Sequence, residues 1–229
     1  MENRVEPTRK EQTLELLAFL FLIVPSIVIA FFAYGETGAS FPLVATATIF
    51  RDLALVALIA FFLWRNGEGS WKIGWTTHDL RQNLLLGLVL TPFVIIGAGL
   101  LDSLLRSWGL SGPEPGATNF LIPRGPGQIA LAFILVIVVA VSEETIFRGY
   151  LIARSEGITG STPFAVLLST VIFSVGHGYE GTSGLLTVGA MGLVFALLFV
   201  WRRSLVAPTV IHFTNDFLGI VLIPLLGFS

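Results

Sequence analysis

Residues 129–148 read IALAFILVIVVAVSEETIFR. From Ile129 to Val141 there is no charge; then Glu143, Glu144 and Arg148 appear within two helical turns. The run belongs to an apolar stretch from Gln128 to Ala153, longer than the ~20 residues a membrane-spanning helix needs. Each ionised group at bilayer depth costs at least ~2.5–3.5 kcal/mol on insertion scales, so intramembrane charges face a bundle interior or a water-filled cavity and mark function. The stretch therefore decides the fold class, an all-α polytopic transmembrane bundle, and indicates where the chemistry lies.

The rest of the chain agrees. Of 229 residues, 54% are hydrophobic and 12% charged, with a mean hydropathy of +0.85. A soluble domain carries about 25% charged residues. The formal net charge of −2 gives no nucleic-acid signature. With no cysteine, the chain has no disulfides, zinc–thiolate sites, cysteine catalysis or S-palmitoylation. The N-terminal polar head mixes Arg4, Arg9 and Lys10 with Glu2, Glu6 and Glu11. The apolar run behind it exceeds a signal-peptide core, so it reads as an uncleaved first span.

Seven spans are expected over 1–229, as a single integral-membrane domain: Leu14–Tyr34, Pro42–Trp64, Gln82–Asp102, Gln128–Ala153, Pro163–His177, Gly184–Trp201 and Leu205–Leu226. The fifth is short and is expected to begin nearer Gly160. Pro208 and Pro224 disfavour a straight last helix, which makes eight spans the alternative count. Arg4, Arg9, Lys10, Arg65, Lys72, Arg81, Arg154, Arg202 and Arg203 flank one side of these spans, and Arg106 and Arg124 the other. The positive-inside rule then places the N-terminus in the cytoplasm of a multi-pass protein of the cell membrane. Trp64, Trp71, Trp75, Trp108 and Trp201 near the predicted ends read as an aromatic belt.

Three polar patches interrupt spans four, five and seven. Glu144 and Arg148 are four apart with the acid N-terminal, the better order for an ion pair. Glu143 points about 100° away from Glu144 and is freer to face a cavity and take a proton from water. The structural alternative, a salt bridge locking the bundle, leaves Glu143 unexplained. The second patch is Phe173-Ser174-Val175-Gly176-His177. A lone histidine there reads equally as a satisfied core residue. In the third, His212-Phe213-Thr214-Asn215-Asp216, His212 and Asp216 share a helix face. Its alternative is an interhelical hydrogen bond. Acid and imidazole groups on three separate spans are tolerable only if they converge inside the bundle.

These motifs resemble those of the CPBP family of intramembrane proteases, which includes the type II CAAX prenyl endopeptidases and the bacterial Abi proteins. The family pattern is Glu-Glu-x-x-x-Arg, then Phe-x-x-x-His, then His-x-x-x-Asn or Asp. Here it falls on Glu143, Glu144 and Arg148, on Phe173 and His177, and on His212 and Asp216, over about residues 128–220. The resemblance implies that Glu143, with His177, activates a water for attack on a peptide carbonyl. It also implies that His212 and position 216 stabilise the oxyanion, while Glu144 and Arg148 hold the site together. The best-understood relatives have Asn where this chain has Asp216. Asp216 donates only if protonated, so the alternatives are a neutral Asp216, an Asp216 that orients His212, or donation by Asn215. The expected substrate is a membrane protein or peptide, with prenylation an open question.

No cofactor is favoured. Zinc, held by Glu143, His177 and His212, is the alternative, although the His-Glu-x-x-His signature is missing. A non-catalytic Abi-type scaffold or immunity protein and a proton-coupled transporter are the rival functions. No internal repeat supports the transporter. Arg51 with Asp52, and Asp102 with Arg106, read as structural pairs, and His78 as an exposed loop residue. At about 1.5 Å per residue, Glu143 lies about 16 Å, His212 about 12 Å and His177 roughly 24 Å from their predicted cytoplasmic ends. A water-filled cavity on the cytoplasmic half is therefore expected.

Overall fold

A computed structural model describes residues 7–33, 40–114 and 118–227. Glu2, Arg4, Glu6 and Tyr34, named above, lie outside them. Among the described residues every regular element is helical. Seven helices carry the fold: α1 Arg9–Ala33, α2 Phe41–Asn66, α3 Leu80–Ser107, α4 Gly125–Thr159, α5 Thr162–Val175, α6 Gly181–Arg202 and α7 Val206–Leu225. All but α5 are long and apolar enough to cross a membrane. The last span is one helix: Pro208 falls in its first turn, where a missing N–H has no intrahelical acceptor to lose, and Pro224 falls just after the π-helical Phe217–Leu222.

The boundaries follow local chemistry. Gly160, at φ +70°, ends α4 in the left-handed conformation that side chains disfavour. Ser161 then caps α5, its Oγ accepting from Phe164 N at 3.3 Å, and Pro163 occupies the first turn. This turn makes α4 and α5 antiparallel neighbours. Helix α3 lies along α7 and α6, α2 along the first half of α4, and α5 along α6. At the α3–α7 crossing a Cβ on Gly87 would stand 2.8 Å from Val210 Cβ and 2.9 Å from the Ala207 carbonyl, so only glycine permits that approach.

The bundle is polar inside and apolar outside. Leu84, Leu88, Phe93, Ile96 and Leu100 on α3 and Phe21 on α1 face outward, as lipid contact requires. Glu15, Asp52, Glu143, Glu144, Arg148, Arg154 and His212 are buried. Trp64, Trp71, Trp108 and Trp201 are exposed at helix ends. Trp75 departs from the expected belt: its Nε1 donates to Thr145 Oγ1 at 2.9 Å, pinning α4 just after Glu144. Arg154 departs too. Instead of flanking a span it is buried, paired with Glu68 and 3.4 Å from Glu15, which also accepts from Arg65 at 2.6 Å. These contacts tie α1, α2 and α4 at the basic face. The Arg51–Asp52 and Asp102–Arg106 pairs form, at 2.8 and 2.9 Å, and His78 is exposed beside Asp79.

Candidate active site

Two helices change their hydrogen bonding at the site. In α4 the residues Glu144–Leu151 are π-helical, directly after Glu143; in α7 Phe217–Leu222 are π-helical, directly after Asp216. Such i→i+5 turns are rare and concentrate at functional sites. They re-aim the side chains on either side relative to a uniform helix.

The acids meet the imidazole of His212 from opposite sides. Glu144 Oε1 accepts from Arg148 Nη1 at 2.9 Å and from His212 Nδ1 at 2.8 Å. A carboxylate only accepts, so His212 carries a proton on Nδ1. Its Nε2 lies 3.8 Å from Glu143 Oε2 and 3.4 Å from Asp216 Oδ2. Two carboxyl groups thus face one imidazole nitrogen. Asn215 Nδ2 donates to Asp216 Oδ1 at 3.3 Å.

Arg148 and Glu144 are both 0% exposed. The guanidinium also donates to the Gly192 carbonyl at 3.3 Å and sits 4.1 Å from the Phe173 ring centroid and 5.2 Å from that of Phe195. Phe173 is thus the floor beneath the ion pair, and it stands edge-on to His212 at 6.1 Å. One buried cation fixes Glu144, and Glu144 fixes His212.

His177 arrives by a different route. At 14 residues, α5 reaches only about 21 Å, short of the roughly 30 Å hydrocarbon core. The chain therefore leaves helical geometry before crossing, and Gly178–Glu180 forms a short 3₁₀ turn. Non-helical backbone at that depth is tolerated only where it is buried in protein or lines water. His177 Nδ1 faces the Phe173 carbonyl at 2.9 Å, which fixes the Nδ1–H tautomer and leaves Nε2 as a base.

Glu143, His177, His212, Asn215 and Asp216 all line one cavity of about 400 Å³. Phe173 lines it as well, while Glu144 and Arg148 lie behind its wall. The Glu143 Oε2 atom is buried and makes no hydrogen bond among the described residues. Two further acids border the cavity and were not foreseen there: Asp52 from α2, 1% exposed and tied to Arg51, and Glu180 from the 3₁₀ turn. Asp52 is legible only as a charge within a span, and nothing in the spacing connects it to α4.

The cavity is offset from the basic helix ends. Its helical lining includes Ile23 and Ile27 of α1, Val44 to Leu55 of α2, Leu135 to Phe147 of α4, Thr187 to Phe195 of α6 and His212 to Ile220 of α7. None comes from residues 56–81, 148–172 or 196–211, at the basic face. Depth counting assumed that helices end where their apolar runs end. Instead α4 continues to Thr159, and α5 stops short.

Among the described residues no group of three His, Asp or Glu side chains has the arrangement of a metal site. Of the residues weighed as zinc ligands, Glu143 and His212 approach each other at 3.8 Å.

Residues 125–218 match the family model described as Type II CAAX prenyl endopeptidase Rce1-like. No curated protein and no solved structure matches the chain. The matched stretch contains every residue of the three motifs; helices α1 to α3, with Arg51 and Asp52, fall outside it.

Proposed function

With residues 125–218 belonging to the type II CAAX prenyl endopeptidase Rce1-like family, we propose that this integral membrane protein is an intramembrane endopeptidase that hydrolyses a peptide bond with a water activated at Glu143. The observation that carries this is the Glu143 carboxylate: buried, bordering the cavity, and left by the protein with an oxygen that no donor meets. A buried carboxylate oxygen without a protein partner needs one from solvent or substrate.

Glu143 takes a proton from the water, whose oxygen adds to the substrate carbonyl carbon. The carbonyl oxygen becomes an oxyanion. His212 as imidazolium, its Nδ1–H on Glu144 and its Nε2–H turned to the cavity, supplies the opposing charge. Asp216 acts by orienting that imidazolium, consistent with its 3.4 Å approach to Nε2, and Asn215 holds Asp216. The proton taken by Glu143, relayed through the free Nε2 of His177, goes to the leaving nitrogen as the C–N bond breaks. Arg148 and Phe173 keep Glu144 and His212 in register. Every step uses protein groups and water, with no cofactor, and the substrate is a membrane-embedded protein or peptide.

The test is cleavage of a prenylated peptide library and its unprenylated counterpart by purified protein, with and without chelator. A general base contributes about 10²–10⁴-fold. Glu143→Gln should lower cleavage by at least about 10² while thermal unfolding stays at the parent value, and chelator should leave the rate unchanged. A Glu143→Gln protein that cleaves at the parent rate removes the assignment.

A further inference from the structure

We propose that Asp52 of α2 is a second carboxylate of the reaction site and holds the attacking water jointly with Glu143. The register of α2 against α4 places it there. Along the cavity wall α2 contributes Val44, Thr48, Asp52 and Leu55, and α4 contributes Leu135, Val139, Glu143 and Ile146. Both series advance by four, four and three residues, the spacing of a single helix face. Phe41 and Ala45 share one apolar cluster with Ala132 and Val136, and Leu55 and Ile59 share another with Ile146 and Tyr150. The two helices therefore run parallel and in step, and Asp52 stands level with Glu143. Packed helices lie about 8–10 Å apart, axis to axis. Two carboxyl side chains at one level, both bordering the same cavity, then come within reach of one water.

Pairing with Arg51 accounts for only half of the Asp52 carboxylate. Arg51 Nε and Nη2 both approach Oδ1, at 2.9 and 2.8 Å. Oδ2 is buried, on a side chain 1% exposed, and no donor meets it among the described residues. Glu143 Oε2 is in the same condition. Two buried acceptors on one wall thus lack a donor, and each is costly until it gains one. Asp52 also lies within electrostatic reach of Glu143 and His212. A water has two O–H bonds and satisfies both acceptors at once. The same arrangement suits attack. With one hydrogen on Glu143 and the other on Asp52, the water is left with a lone pair for the substrate carbonyl carbon. As the C–O bond forms, Glu143 takes the first proton; the second hydrogen stays on the new hydroxyl, donated to Asp52. Arg51, by gripping Oδ1, turns Oδ2 toward that water. Asp52 lies outside the matched stretch, so the three motifs do not include it.

That this water is the nucleophile rests on the peptidase reading; that the two acids share it does not. Asp52→Asn is the discriminating variant. Arg51 holds the oxygen of the new amide, which turns the NH₂ group to the cavity and puts a donor where an acceptor stood. In the detergent-purified full chain, kcat for peptide cleavage should fall at least about tenfold with KM within about twofold, because the water and not the substrate is misplaced. A kcat within about twofold of the parent, or a loss carried by KM, overturns the role. The second measurement needs no turnover: thermal unfolding of Asp52→Asn, Glu143→Gln and the double variant. Acids joined through one water are coupled, so the double variant should melt at least about 2 °C away from the sum of the two single shifts. Agreement with that sum to within about 2 °C overturns the shared water. A parent protein that cleaves no peptide but shows the coupling retires the peptidase reading and leaves the water-joined pair standing.

Discussion

Replacing Arg148 by Met removes the guanidinium paired with Glu144 and leaves the shape of the side chain nearly filled. Both groups are fully buried, the contact is 2.9 Å, and Glu144 is the anchor of His212. A buried pair broken on one side costs about 3–5 kcal/mol, because the remaining charge is uncompensated. For a chain of about this length, about 2–4 °C of melting temperature accompanies each kcal/mol, which gives a fall of about 6–20 °C. The assay is unfolding of the detergent-purified protein by intrinsic fluorescence. The second arm is Glu144→Gln combined with Arg148→Met. It removes the stranded charge but keeps a carbonyl for His212 Nδ1, and should recover about 2 kcal/mol or more relative to Arg148→Met. Stability of Arg148→Met within about 1 kcal/mol of the parent, or a double variant that merely sums the two single losses, would refute the buried pair as the fixture of the site.

Two further outcomes follow from contacts around the same group. A Cβ at Gly192 would meet Phe173 Cδ1 at 2.8 Å and Arg148 Nη2 at 3.1 Å; Gly192→Ala should cost about 1–3 kcal/mol by overpacking and reduce cleavage, measured by melting and turnover together. If Asp216 orients His212 rather than donating, Asp216→Asn should keep cleavage within about tenfold, while Asp216→Leu should lose about 10²–10³-fold; a Leu variant as active as the parent excludes any role for that position.

Much of the bundle is written in single-helix periodicity. Apolar runs gave seven helices, and spacing along one helix gave Glu144–Arg148, Asp102–Arg106 and the adjacent Arg51–Asp52 pair, because i, i+4 neighbours on a helix do not depend on its surroundings. What lies between helices was less legible. The bond from His212 to Glu144 joins residues 68 apart and depends on the π-helical turn after Glu143, which uniform 100° spacing does not include. Arg154 looks like a flanking cation until its partners Glu15, on α1, and Glu68, just after α2, are seen. Trp75 looks like an interfacial residue until Thr145 is seen to accept its N–H. Apolar run length ended α4 at Ala153, whereas the helix runs on to Thr159.

The claim that Glu143 activates a water, rather than attacking the peptide itself, is tested most directly by one turnover in ¹⁸O-water followed by mass spectrometry of product and protein. The expected result is ¹⁸O in the new carboxyl terminus of the product, none in the Glu143 side chain, and no product from Glu143→Gln. Label in the Glu143 carboxylate after a single turnover, or labelled product from Glu143→Gln at the parent rate, would contradict it.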